Sequence, residues 1–264
     1  MASPQECPER PADTRLAAAF GGGGVFGTAY GLGVAHALIR AGVPLATAPT
    51  IGTSAGAWVA ACLATDTDLD DLCTAPPLRV PDPTPQLLLD IASRLFGDAM
   101  VPHITATAVV LPTMRRVVLS GADYRVADLV AASSSVPGLF RPTMIGTRSY
   151  VDGGVRSLVS ADLAPSAENL VVIAPIAGPM FGPAGRFMER LLRSELRRWE
   201  ERTGGVAHLI RPNREIARLA HNPLQLFDRD RARAAYTLAG EQMAKLLVER
   251  SELAALGDPS PRAA

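Results

Sequence analysis

The chain has 264 residues, 48% of them hydrophobic, which is enough apolar material to bury one large core. Its 26 basic and 26 acidic residues balance to a formal net charge of zero, which argues against a nucleic-acid partner. Three cysteines (Cys7, Cys62, Cys73) are an odd number without C-x-x-C spacing, which argues against a disulfide framework and for a reducing, cytoplasmic setting.

The stretch Met1–Arg15 has no basic segment followed by an apolar one, so no signal peptide is expected, and residues 1–14 read as a disordered leader. No apolar run approaches the ~18 residues of a membrane span, so any membrane contact is expected to be peripheral and transient. The short apolar run Leu16–Phe20 stops at four glycines, Gly21–Gly24, as a buried strand entering a glycine loop does. Small and apolar residues then recur from Gly27 to Ala41 and predict a buried helix ending at Gly42. Thr50-Ile51 reads as a strand end, and Ala55–Ala64 as the next helix. Residues 76–85 hold five prolines and predict a loop, a candidate lid.

Leu87–Phe96 reads as a helix, Ala106–Leu111 and Arg116–Leu119 as paired strands, and Val126–Ala132 as a helix. Ser149–Val151 is a short strand and Leu170–Ala174 a stronger one, apolar throughout as in a sheet covered on both faces. Arg186–Arg202 and Arg229–Arg250 are amphipathic helices around a strand at Val206–Ile210. This alternation predicts an α/β fold, a sandwich around a mainly parallel sheet. Residues 15–256 read as a single domain and 257–264 as a flexible tail.

Chemistry concentrates in three short motifs. In Gly52-Thr53-Ser54-Ala55-Gly56 a strand-like segment turns sharply into a helix-like one, which leaves the serine hydroxyl exposed at the positive end of a helix dipole. The loop Gly22-Gly23-Gly24-Val25-Phe26-Gly27 also fits a dinucleotide-binding turn. Such a turn needs an acidic residue about 20 positions on, and Gly42–Ile51 contains none. A phosphate-binding P-loop is excluded because the only lysine is Lys245. Read instead as an oxyanion hole, the loop offers backbone donors at Gly23 and Gly24, with another at Ala55 just after the serine. The third motif, Asp152-Gly153-Gly154, ends a short strand with a turn stripped of side chains. Asp-Gly is also an ordinary turn dipeptide, and the residues alone leave both readings open.

In that order, Gly22–Gly27, Gly52–Gly56 and Asp152–Gly154 resemble the glycine-rich loop, G-x-S-x-G and D-G-[AG] motifs of patatin-like phospholipases. The stretch Ala132–Pro142 is similar to the family's segment upstream of the aspartate, and the likeness covers residues 16–176. The resemblance implies a three-layer α/β/α sandwich and a lipid acyl hydrolase without metal or cofactor. It makes Ser54 the nucleophile and Asp152 its base in a two-residue dyad. Phospholipid or lysophospholipid esters are the implied substrates. Many members of the family carry Arg or Lys where this chain has Phe26.

An unperturbed aspartate, with a pKa of ~3.9, is a weak base toward a hydroxyl, so burial is expected to raise it and a hydrogen bond to fix it against Ser54. Phe26, Trp58, Leu139 and Phe140 are candidates for an apolar substrate groove. Ile176–Pro183 reads equally as an apolar flap or as a packed loop. The arginine-rich helix around Arg186–Arg198 interleaves with Glu189 and Glu195 and reads as a salt-bridged face. Two other functions remain open. One is an α/β-hydrolase triad in the order Ser54, Asp152, then His208 or His221. The other is a catalytically silent lipid-binding module.

Overall fold

The computed structural model describes residues 14–75 and 77–257. The expected leader and tail therefore lie, apart from Thr14 and Gly257, outside the described residues. Eight strands make one mixed sheet: β1 (Leu16–Phe20), β2 (Thr50–Thr53), β3 (Ile104–Leu111), β4 (Arg115–Ser120), β5 (Thr143–Ile145), β6 (Arg148–Asp152), β7 (Asn169–Ile173) and β8 (Val206–Ile210). The order is β5-β6-β3-β2-β1-β7-β8, with β4 paired to β3 off this path. Strands β3, β2, β1, β7 and β8 run parallel, while β4 and β6 run antiparallel to β3.

The central strand shows why the domain has three layers. All five residues of β1 are buried, and they alternate between two cores. Leu16, Ala18 and Phe20 face α1 (Gly24–Arg40), α2 (Ala55–Thr65), α4 (Leu87–Phe96), α5 (Val126–Ser134) and α8 (Arg229–Glu249). Ala17 and Ala19 face Leu192, Leu196 and Trp199 of α6 (Gly182–Thr203). A strand covered on both sides has no polar face, hence the unbroken run Leu-Ala-Ala-Ala-Phe. The wholly buried Trp199 anchors the second layer and donates its indole N–H to the Pro165 carbonyl at 3.1 Å.

The expected helices and strands are present, and three differences bear on the site. Helix α1 begins at Gly24 instead of Gly27, because the glycine loop itself forms the first helical turn. Strand β5, three residues long, was not anticipated; it pairs with β6 across a turn at Gly146. A short helix α3 (Leu69–Thr74) was also missed, although Asp68 caps it by accepting the Asp71 N–H at 2.8 Å. In the proline-rich loop, Asp82 forms only an isolated bridge to Phe140, and Leu78 and Val80 pack beside Leu88 and Phe140.

Of the two readings of Ile176–Pro183, the structure favours the packed loop. The Gly178 N–H is held by the Gly185 carbonyl at 3.0 Å, and Phe181 packs against the main core. On α6, Glu189 pairs with Arg193 at 2.7 Å and also with Arg211 as expected, whereas Glu195, expected on the same face, is buried and accepts the Ala161 N–H instead. Among the described residues, no helix is long and apolar enough to cross a membrane.

Candidate active site

Two strand ends meet along one edge of β3. Strand β4 occupies residues 105–110 of β3, so β2, paired to 104–107, and β6, paired to 108–111, must share the opposite edge. They approach from opposite directions. Thr53 ends β2 opposite Thr107, and Asp152 ends β6 opposite the next residue, Ala108. The residue after Thr53 is Ser54, so the register of the sheet alone brings Ser54 beside Asp152.

Ser54 turns the chain with φ 53° and ψ −120°, a conformation costly for any residue with a Cβ. Surrounding bonds hold it there: the Ser54 N–H donates to Ser133 Oγ at 2.8 Å, and Ser133 Oγ–H donates to the Thr107 carbonyl at 2.7 Å. The turn also needs glycines on both sides. A Cβ on Gly56 would lie 1.9 Å from the Phe20 carbonyl oxygen, and one on Gly52 would lie 2.6 Å from the Ala57 backbone.

Asp152 is 3% exposed. Its carboxylate lies beside the Ser54 side chain, and Oδ1 accepts the Gly154 N–H at 2.5 Å. Gly153 lies so close to the Thr107 carbonyl that a Cβ there would come within 2.5 Å of it. Burial pushes the Asp152 pKa up to about 6, against the lowering influence of the Ser54 hydroxyl and the Gly154 N–H. A carboxylate of that basicity is ionised at neutral pH and still takes a proton readily.

Residues with free backbone donors line the same cavity. The Gly22 N–H is committed to the Leu158 carbonyl at 2.8 Å. Among the described residues, the N–H groups of Gly23, Gly24 and Ala55 make no protein hydrogen bond. Gly24 and Ala55 open α1 and α2, and the first amides of a helix have no partner within it. Gly23 reaches this geometry with φ 155° and Gly24 with φ 61°, both in the region that favours glycine. Gly27 in α1 and Ala55 in α2 are so close that a Cβ on Gly27 would lie 3.2 Å from that of Ala55.

The cavity has a volume of about 700 Å³ and a largely apolar wall. Ser54, Asp152, Gly23, Gly24 and Ala55 line it together with Trp58, Leu139 and Phe140. Phe26 does not. It is wholly buried and stacked on Tyr30, with ring centroids 6.5 Å apart. The expectation of Phe26 in the groove is therefore corrected, and the early start of α1 is the reason. With the helix running from Gly24, Val25 faces the cavity and Phe26 turns into the core.

A family profile for patatin-like phospholipase matches residues 18–77 and 79–165, a span from β1 through the turn after Asp152. The chain belongs to the patatin-like phospholipase family. No curated protein matches the chain closely enough to count as a relative. Membership implies a lipid acyl hydrolase, and the α/β/α layering with a mixed, mainly parallel sheet is the fold expected of a patatin-like protein.

Several residues of this patatin-like site escaped the sequence reading. In the run Ser133-Ser134-Ser135, each serine has a separate task. Ser133 holds the Ser54 amide, Ser134 Oγ accepts the Trp58 indole at 3.0 Å, and the Ser135 carbonyl accepts the Asp152 N–H at 3.0 Å. A serine run closing a helix carries no signal that separates these roles. The far wall comes from Leu69 and Leu72 of α3, Ile91 of α4, and Leu224 and Phe227 of a short 3-10 segment.

The histidines lie elsewhere. His36 bonds the Tyr236 hydroxyl, His103 the Ala46 carbonyl, His208 the Asn169 side chain, and His221 the Arg218 carbonyl. None lines the cavity.

Proposed function

We propose that this protein is a serine acyl-ester hydrolase in which Ser54 is the nucleophile and Asp152 alone is its base. Its proposed substrates are lipid esters of the phospholipid or lysophospholipid class. The observation that carries this reading is the buried Asp152 carboxylate set beside the Ser54 hydroxyl on the wall of an apolar cavity.

In this mechanism Ser54 Oγ attacks the ester carbonyl carbon as its proton passes to the Asp152 carboxylate. The carbonyl oxygen, now negative, meets the amides of Gly23, Gly24 and Ala55, each worth about 3 kcal/mol to the transition state. Collapse of the intermediate breaks the ester bond, and the departing alkoxide takes the proton from Asp152. Water then repeats the sequence on the acyl-enzyme, giving up its proton to Asp152 and releasing the fatty acid. A triad is disfavoured because His208 lies on β8 at the far end of the sheet order and His221 is held by Arg218. The silent-binder reading has no observation in its favour, whereas a hydroxyl and a buried carboxylate on one cavity wall support the catalytic one.

The test is labelling of Ser54 by a fluorophosphonate probe, together with turnover of a panel of acyl esters. Folded protein that neither labels nor turns over rejects the proposal. The pH dependence follows from the sign of the Asp152 shift. Since the base form exists above a pKa of about 6, kcat/KM is expected to be flat above pH 7 and to fall tenfold per pH unit below about 5. A profile still flat at pH 5 would exclude Asp152 as the titrating base.

Transient contact with a lipid surface is part of the same proposal. Met114, Val155 and Leu224 line the cavity and are all exposed, Leu224 at 68%. They lie on three separate segments, and Arg156 ties two of these together by donating to the Met114 carbonyl. Leu224→Asp is expected to cut hydrolysis of vesicle-borne ester about tenfold, the equivalent of one buried leucine, while leaving a soluble short-chain ester unaffected. Equal loss on both substrates would assign Leu224 to the substrate pocket alone.

A further inference from the structure

Glu195 is a buried acid that the dyad does not use. It lies on α6, beyond the residues matched by the family profile, and is 6% exposed. Burial raises its pKa, and the nearby Arg116 is already paired with Asp162 at 2.6 Å. Its contacts account for its presence. Glu195 Oε2 accepts the Ala161 N–H at 3.1 Å, and the Ser157 hydroxyl lies close enough to its carboxylate to oppose that rise. Ser157 Oγ in turn accepts the N–H groups of Ser160 at 2.8 Å and Val159 at 3.3 Å. Residues 157–161 are thereby folded into a bracket with Glu195 at its back.

The front of the bracket grips both halves of the active site. The Leu158 carbonyl holds the Gly22 N–H at 2.8 Å, and the Val159 carbonyl accepts the Thr53 hydroxyl at 3.2 Å. Thr53 immediately precedes Ser54, and Gly22 immediately precedes Gly23. Thr53 Oγ1 also bonds Thr107 Oγ1 at 2.7 Å, which links the bracket to the strand that sets the dyad. One carboxylate in the opposite helical layer thus braces the turn whose carbonyls fix the nucleophile strand and the glycine loop relative to each other.

We infer that Glu195 is a positioning residue for acyl transfer, acting through Ser157 and the 157–161 turn to hold Ser54 in register with the Gly23 and Gly24 amides. This inference rests on the Ser54–Asp152 reading above. A displacement of about 1 Å in such a constellation costs roughly 100-fold in rate.

The experiment measures kcat and KM for a soluble chromogenic acyl ester, with active sites counted by stoichiometric fluorophosphonate labelling. In Glu195→Ala, kcat per labelled site is expected to fall 10- to 100-fold with KM within about threefold of wild type. Glu195→Gln keeps an acceptor for Ala161 and Ser157 and is expected to remain within about threefold. Ser157→Ala should reproduce the alanine loss, and it carries the test if Glu195→Ala does not fold. Trp199→Phe, one helical turn away, is expected to lower the melting temperature without changing kcat per site.

Unchanged kcat per labelled site in Glu195→Ala, or in Ser157→Ala, would overturn the inference. So would an equal loss in Trp199→Phe, which would make the effect one of helix packing. Wild-type protein that fails to label at Ser54 would instead overturn the dyad reading on which the inference stands.

Discussion

Asp152→Asn is expected to lower kcat/KM for an acyl ester by about 10³-fold while making the folded protein more stable. The rate loss follows because the amide is nearly isosteric but cannot take the Ser54 proton, and a positioned general base contributes about 10² to 10⁴ in rate. Ser54→Ala, which removes the nucleophile itself, should cost as much or more. The stability gain comes from the same burial that makes the carboxylate basic. Its folded pKa of about 6 lies above the ordinary aspartate value of 3.8, so the folded state binds the proton more tightly than the unfolded chain.

The sign of the linkage is therefore unfavourable to ionisation. Below pH 4 both states carry the proton, and Asp152 costs nothing as a charge. As pH rises from 4 to 6 the wild type loses stability relative to the neutral asparagine variant, and above 6 the difference levels off. A shift of about two pKa units corresponds to an upper limit of about 3 kcal/mol, or several degrees in melting temperature for a domain of this size. Thermal unfolding of both proteins at pH 4 and pH 8 checks this. An Asn variant no more stable than wild type at pH 8 would show that the site holds the charge without strain. Loss of activity together with a gain in stability is the mark of a group retained for chemistry.

Gly56→Ala is expected to prevent folding or to lower the melting temperature by more than 10 °C. The added methyl would sit 1.9 Å from the Phe20 carbonyl oxygen and 2.3 Å from its carbon, both backbone atoms of the central strand. No side chain can move to relieve that contact; α2 as a whole would have to lift off β1, at a cost of about 3 kcal/mol or more. Gly240 in α8 is the matched control. A Cβ there meets only the tip of Arg40 at 3.8 Å, so Gly240→Ala should stabilise by about 0.5–1 kcal/mol through helix propensity. The same substitution in two helices is thus expected to act with opposite signs. Similar unfolding curves for the two variants would contradict the close α2–β1 approach.

That contrast also explains how much could be read from the chain. Gly52, Gly56, Gly153 and the run at Gly21–Gly24 stand where backbone approaches backbone, and such places leave glycines in the sequence. The strands are legible for a similar reason, since β1 and β7 are buried on both faces and are written in apolar residues. What escaped was set by contacts between distant segments. Ser133 serves Ser54 from 79 positions away, and Glu195 serves Ala161 from 34, with nothing local to mark either. Phe26 was misjudged by a boundary: a helix starting three residues earlier rotates that side chain inward. Strand β5 and helix α3 are too short for periodicity to reveal, yet α3 supplies part of the cavity wall.

The shared edge of β3 has a consequence for how such a catalyst diversifies. The gap between the proposed nucleophile and its base is dictated by main-chain pairing to one template strand, whereas much of the apolar chamber is furnished by α3, α4 and the segment around Leu224. Those pieces can be exchanged, lengthened or refilled without disturbing the distance that the chemistry requires. On the proposed Ser54–Asp152 mechanism, selectivity for one tail over another is thus uncoupled, by construction, from the capacity to cleave at all.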